Sequence, residues 1–197
     1  YTMHVAGLER RLPICPVSDS LSIGAFVIFG DAELTVSAAR DLLRLAPEHD
    51  YILTAEAKGI PLAHEMARQN HEETYFVARK APKLYMPDAL CVTVQSITTA
   101  REQKLYLDRA DAERMRGKRI LIVDDVISTG GSLHAMEELG YKGGSVRIGH
   151  CQNPALALEL CTEIQQKYPG ADVKSHGLRG LCSYYAERGG IMLGFES

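Results

Sequence analysis

Residues 120–133 read ILIVDDVISTGGSL. Ile120, Leu121, Ile122 and Val123 are apolar at consecutive positions. Successive side chains of a strand point to opposite faces, so an unbroken apolar run is covered on both, as buried parallel strands are. Asp124 and Asp125 stand side by side at the mouth of this strand. A small polar loop with two glycines follows, and then an amphipathic helix begins. Like charges this close repel each other, and carboxylates repel anions, so the pair requires a reason.

The remainder of the chain alternates strand and helix patterns. Residues 15–31 carry short apolar runs broken by Ser and Gly, which predicts short strands and turns. Thr35–Leu45 has helical spacing with Pro47 beyond it, and Leu62–Gln69 reads as a second helix. Tyr51–Ala55 and Tyr75–Arg79 are compact strand candidates. Leu84–Leu107 alternates over Cys91–Ile97 and then turns polar, which predicts a long hairpin with a mobile tip. Met115–Arg119 reads as a polar turn. Ser132–Leu139 reads as a short helix stopped by Gly140, and Val146–Cys151 as a strand able to cover the Ile120–Val123 strand. A helix follows from Asn153 as N-cap and Pro154 at its first position, with Pro169 and Gly170 after its end. ADVKSHG, from residue 171, is a further strand. The order predicts an α/β fold: an open, mostly parallel sheet flanked by helices.

Composition narrows the function. The net charge of the 197 residues is −3 and the basic residues are interspersed with acids, so no nucleic-acid footprint is expected. No apolar run reaches membrane-spanning length, and YTMHVAGLER reads as neither a signal peptide nor an anchor. Cys15, Cys91, Cys151, Cys161 and Cys182 show no CxxC spacing, which argues against zinc and against a disulfide framework. Five free thiols suit a reducing cytoplasm. No two histidines have the HExxH spacing of a helical metal site.

In open α/β sheets ligands sit beyond the carboxyl ends of the strands, where Asp124 and Asp125 fall. Ser128, Thr129, Gly130, Gly131 and Ser132 then offer backbone N–H groups and hydroxyls at a helix N-terminus, a good setting for an anion. One ligand satisfies both parts. A phosphate suits the loop, and vicinal ribose hydroxyls can donate to the carboxylates, so a ribose 5-phosphate unit removes the charge conflict. A Walker A loop is ruled out by the missing Gly-Lys-Ser/Thr ending, and a dinucleotide fingerprint by the absence of GxGxxG. The plain alternative is a helix N-cap with solvated aspartates.

VDDVISTGGS resembles the phosphoribosyl pyrophosphate (PRPP) motif of the type I phosphoribosyltransferases. DYILTAEAKGIPLAHEMA (50–67) resembles that family's pyrophosphate-binding loop and following helix, and FVARKAPK (76–83) its basic strand end. The likeness runs over roughly residues 20–140 and is nearest the adenine and xanthine members. It implies three regions: an N-terminal segment 1–40 with a hood over the base from Pro13–Phe29, a core at 41–140, and an atypical C-terminal βαβ extension at 141–197 completing the sheet. It implies that Asp124 and Asp125 bind the ribose hydroxyls and that Ser128–Ser132 hold the 5-phosphate. Ala57, Lys58 and Gly59 would hold pyrophosphate, with Arg79, Lys80 and Lys83 neutralising it as it leaves. Asp124, Asp125 and Lys80 are the implied catalytic residues.

The resemblance also implies a non-proline cis peptide, placed at Ala57–Lys58, and a mobile lid around Ser96–Lys104. Mg²⁺ would be held mainly through substrate, with no direct protein ligand. The partners would be PRPP and a purine base, and the assembly a homodimer. Ser128 stands where hypoxanthine/guanine members carry an acidic residue, which favours the adenine or xanthine type. Past Gly140 the likeness ends, and GLCSYYAERGGIMLGFE is faintly similar to the C-terminal end of DegV-type lipid-binding proteins. The alternatives are a PRPP-binding regulator, since purine repressors carry this motif without catalysis, and, given that ending, a catalytically silent chimera.

Overall fold

The computed structural model describes residues 1–18, 21–94, 103–126, 131–143, 147–150, 171–176, 181–186, 191–192 and 194–195. The chain opens with two hairpins, β1 (Thr2–Val5) with β2 (Leu8–Arg11), and β3 (Ile14–Ser18) with β4 (Leu21–Gly24). Helix α1 (Ala32–Leu45) follows. Asp31 caps it by accepting from Leu34 N at 3.0 Å, and Arg10 from β2 grips the same carboxylate, which ties the first hairpin to the helix start.

Next come β5 (Tyr51–Ala55), α2 (Ile60–Gln69), β6 (Phe76–Ala78), β7 (Leu90–Val94), β8 (Gln103–Leu107), α3 (Arg109–Met115), β9 (Arg119–Ile122), α4 (Gly131–Lys142) and β10 (Arg147–His150). The central sheet is parallel throughout, in the order β10-β9-β5-β6. Val146–Cys151 was expected to flank Ile120–Val123, and β10 does so, pairing Ile148 with Ile120.

Alternation along the strands sorts their side chains to two buried faces. Leu53, Ala55, Ile120 and Ile122 pack in one cluster with residues of α3, α4 and the β7–β8 hairpin. Ile52, Leu121 and Val123 pack in the other with residues of α1 and α2. This is the two-sided burial expected from four apolar residues in succession.

The hairpin is antiparallel, with Leu90 opposite Leu107, and its tip lies outside the described residues. Its base is fastened to the end of β6. Arg79 N donates to Tyr106 O at 2.7 Å and Tyr106 N to Arg79 O at 2.8 Å.

Two elements depart from the sequence reading. The helix expected at Ser132–Leu139, stopped by Gly140, runs from Gly131 to Lys142, with Gly143 N donating to Leu139 O at 2.9 Å. A glycine inside a helix costs about 1 kcal/mol, but Gly140 is buried and packing overrides that preference. The second departure is α3. Only a turn was expected near it, at Met115–Arg119, whereas Met115 is the fully buried last residue of a helix capped by Asp108. The turn occupies residues 116–118 and Arg119 already belongs to β9.

Among the strands of the tail, β11 (Ala171–His176), β12 (Leu181–Ala186) and β14 (Gly194–Phe195) form their own antiparallel sheet. Between the last two, β13 (Ile191–Met192) runs parallel to β4. The helix expected from Asn153 lies outside the described residues. Among those described, no helix is long and apolar enough to cross a membrane.

Candidate functional site

Two strand ends meet at the site. Val123 N donates to Leu53 O at 3.0 Å, carrying the β9–β5 ladder to the residue before Asp124. Asp125 N then donates to Asp124 Oδ1 at 3.0 Å, so the two aspartates are locked to each other through the backbone. Across from them lies the loop Glu56–Gly59 that joins β5 to α2. Lys58 Nζ stands 3.9 Å from Asp125 Oδ2, on an exposed side chain, while the Asp125 side chain is almost wholly buried.

Gly59 explains how closely the loop approaches. A Cβ placed on it would collide with Thr54 Oγ1 and lie 2.8 Å from Asp124 Oδ1 and 3.2 Å from Asp124 Cα. Only glycine lets this backbone lie against the aspartate. Gly59 also caps α2, with Ala63 N donating to Gly59 O at 2.9 Å and Pro61 in the first turn. The loop contains a cis peptide bond at Glu56–Ala57. The expected position, Ala57–Lys58, is therefore corrected by one residue.

The basic strand end adjoins the loop through Glu56. Its backbone N donates to Ala78 O at 2.8 Å, and its carboxylate accepts from Lys80 N at 3.0 Å. Arg79 Nη1 lies 3.5 Å from Glu56 Oε1, and Arg79 Nη2 donates to Tyr85 Oη at 2.8 Å. Lys80 is exposed. Lys83 lies in the next turn, its carbonyl accepting from Met86 N at 3.0 Å, and no contact among the described residues ties its ammonium to the aspartates. Gly131 and Ser132 open α4, with Ser132 exposed, while Ser128, Thr129 and Gly130 lie outside the described residues. The structure thus brings Asp124, Asp125, Ala57, Lys58 and Gly59 together and joins Arg79 and Lys80 to them through Glu56.

The sequence reading left out the side chains of Glu56, Thr54 and Tyr85. A polar residue inside the buried strand YILTA was a signal for Thr54. For Glu56 the contacts arise only in the fold.

Burial, and then the charge of Asp125, push the Asp124 carboxyl up to about 7. Burial also raises Asp125, against the opposing pull of Lys58. Asp125 Oδ2 is buried with no hydrogen-bond partner among the described residues. A buried carboxylate oxygen without a donor is costly, and a ligand hydroxyl satisfies it. No group of three or more His, Cys, Asp or Glu converges as a metal site among the described residues.

Comparison with known proteins gives three findings. A family model described as a phosphoribosyl transferase domain matches residues 33–151. Among solved structures, adenine phosphoribosyltransferase from Thermoanaerobacter pseudethanolicus superposes with a TM-score of 0.59 at 20% identity, covering 71% of this chain and 82% of that one. The Saccharomyces cerevisiae enzyme, complexed with an imino-altritol bisphosphate and adenine, gives 0.59 at 23% identity, covering 71% and 81%. At these identities the likeness is one of fold: a parallel sheet flanked by helices. Among curated proteins, a DegV domain-containing protein of Streptococcus pyogenes is 39% identical over 64 residues, 32% of this chain and 23% of the relative. The chain thus spans about a quarter of the length of the curated relatives it matches.

Proposed function

Because the chain belongs to the phosphoribosyl transferase domain family, a family of glycosyltransferase-type enzymes, we propose that it transfers the phosphoribosyl group of PRPP to a purine base of the adenine or xanthine type and releases pyrophosphate. The observation that carries this reading is the aspartate pair at the end of β9, held against the Glu56–Gly59 loop by the missing Cβ of Gly59.

In this reading Asp124 and Asp125 accept hydrogen bonds from the ribose 2- and 3-hydroxyls, and Asp125 Oδ2 gains the donor it lacks. Ser128–Ser132, of which Gly131 and Ser132 open α4, hold the 5-phosphate with backbone N–H groups and hydroxyls. The Ala57–Gly59 backbone and Lys58 face the pyrophosphate, and Arg79, Lys80 and Lys83 offset its charge. The bond from C1 of the ribose to the pyrophosphate oxygen breaks, its electron pair leaving with pyrophosphate, while a base nitrogen bonds to C1 and gives up its proton to solvent. The chain's contribution is positioning, plus electrostatic stabilisation of the departing anion. A magnesium ion bound with PRPP would add positive charge to the site, beside that of Arg79, Lys80 and Lys83. The hood at Pro13–Phe29 covers the base, and the hairpin tip closes over the site to exclude water. We take the working assembly to be a homodimer in the cytoplasm.

The test is direct. Purified protein with Mg²⁺, PRPP and each purine base in turn should release pyrophosphate with one of them. Silence with every purine and pyrimidine base overturns the transferase reading. The partial match to DegV domain-containing proteins favours one second reading, a chain that binds PRPP without turnover. Calorimetric PRPP binding without pyrophosphate release identifies it.

A further inference from the structure

Thr54 lies on β5 with no exposed surface, and its Oγ1 has no hydrogen-bond partner among the described residues. Leaving a buried hydroxyl unpaired costs about 1–3 kcal/mol, and a threonine in a strand can usually avoid that by giving way to valine. Its surroundings suggest what the hydroxyl is for. A Cβ on Gly59 would run into Thr54 Oγ1 and would lie 2.8 Å from Asp124 Oδ1, so the two oxygens line the same narrow gap beside Gly59. Asp124 Oδ1 accepts from the backbone N–H of Asp125 at 3.0 Å. Thr54 belongs to β5 of the central sheet, whereas Asp124 belongs to the segment that leaves the sheet after β9.

We propose that Thr54 is a positioning residue, its hydroxyl donating to the Asp124 carboxylate once a ribose diol engages that carboxylate. The inference rests on the PRPP reading above. A carboxylate receiving two ligand hydroxyls must hold a fixed orientation, and a neutral donor fixed in the sheet provides it without a competing charge. A hydroxyl can donate to Asp124 while also accepting, which valine cannot do. The buried hydroxyl then gains its partner when the ligand binds.

The experiment measures PRPP affinity and thermal stability together, in wild type, Thr54→Val and Thr54→Ser. Thr54→Val keeps the shape and removes the hydroxyl. It should leave Tm unchanged or higher while weakening PRPP binding about tenfold or more, the range for a hydrogen bond to a charged group. Thr54→Ser should restore the affinity. A purely structural threonine gives the opposite pattern, with a lower Tm and PRPP affinity equal to wild type, and that result overturns the proposal. If Thr54→Val does not fold, a crystal structure of wild type with ribose 5-phosphate decides. Thr54 Oγ1 must lie within hydrogen-bond distance of an Asp124 oxygen, and any longer separation overturns the proposal. Wild-type protein that binds no PRPP overturns this inference and the PRPP reading together, a result distinct from binding that is insensitive to Thr54.

Discussion

Asp124 sets the electrostatic character of the site. Its carboxyl is pushed up to about 7 by burial and by the adjacent Asp125. A native carboxyl that binds its proton more tightly than the unfolded chain adds stability at low pH. That stability is lost as pH rises from the unfolded value, near 4, through the native one. Asp124→Asn should therefore be more thermostable than wild type at pH 8, by a few degrees, and the gap should close toward pH 4. Melting curves across that range check it, and a gap that is constant with pH contradicts the assignment. Gly59 makes the complementary demand. In Gly59→Ala the new methyl must displace Thr54 or Asp124, at a cost of about 1–3 kcal/mol. Denaturant midpoints should fall accordingly, with PRPP binding lost in the folded fraction.

The elements that present these residues were unequally legible. Tyr51–Ala55 was readable to the residue, because its apolar run and its two-sided burial coincide. The hairpin was readable from alternation alone. Helix α3 was not, because its seven residues, RADAERM, are mostly polar and only Ala112 and Met115 are buried. The true end of α4 was hidden because the glycine that looks like a stop is a buried residue inside the helix. The aspartate pair was legible as a ligand site, but the Glu56 bridge between loop and basic strand end was not, since it joins segments that follow two different strands. The opposite ends of β5 and β9 have their own fastening. Asp50 accepts from Arg119 N at 2.7 Å and from its guanidinium, which holds the Asp50 carboxyl well below the usual range. A depressed carboxyl stabilises above its unfolded value and loses that contribution as pH falls. Asp50→Ala should lower the denaturant midpoint at pH 7, and the difference should shrink below about pH 4.

For the molecule as a whole, the central sheet is the common wall of both core layers. Leu53 faces one layer and Ile52 the other, and neither has exposed surface. Leu53→Ala should cost about 2–5 kcal/mol, and far-UV circular dichroism and tyrosine fluorescence should report one coincident transition. Two separate transitions would mean that the layers unfold independently. The bond pair between Arg79 and Tyr106 has a consequence for how such a chain can be altered. Register in the β7–β8 hairpin is pinned at its base by a residue outside the hairpin. Changing the number of residues between Val94 and Gln103 should therefore leave the Leu90–Leu107 pairing and the Arg79–Tyr106 bond pair in place, so the base of the hairpin tolerates changes of length at its far end.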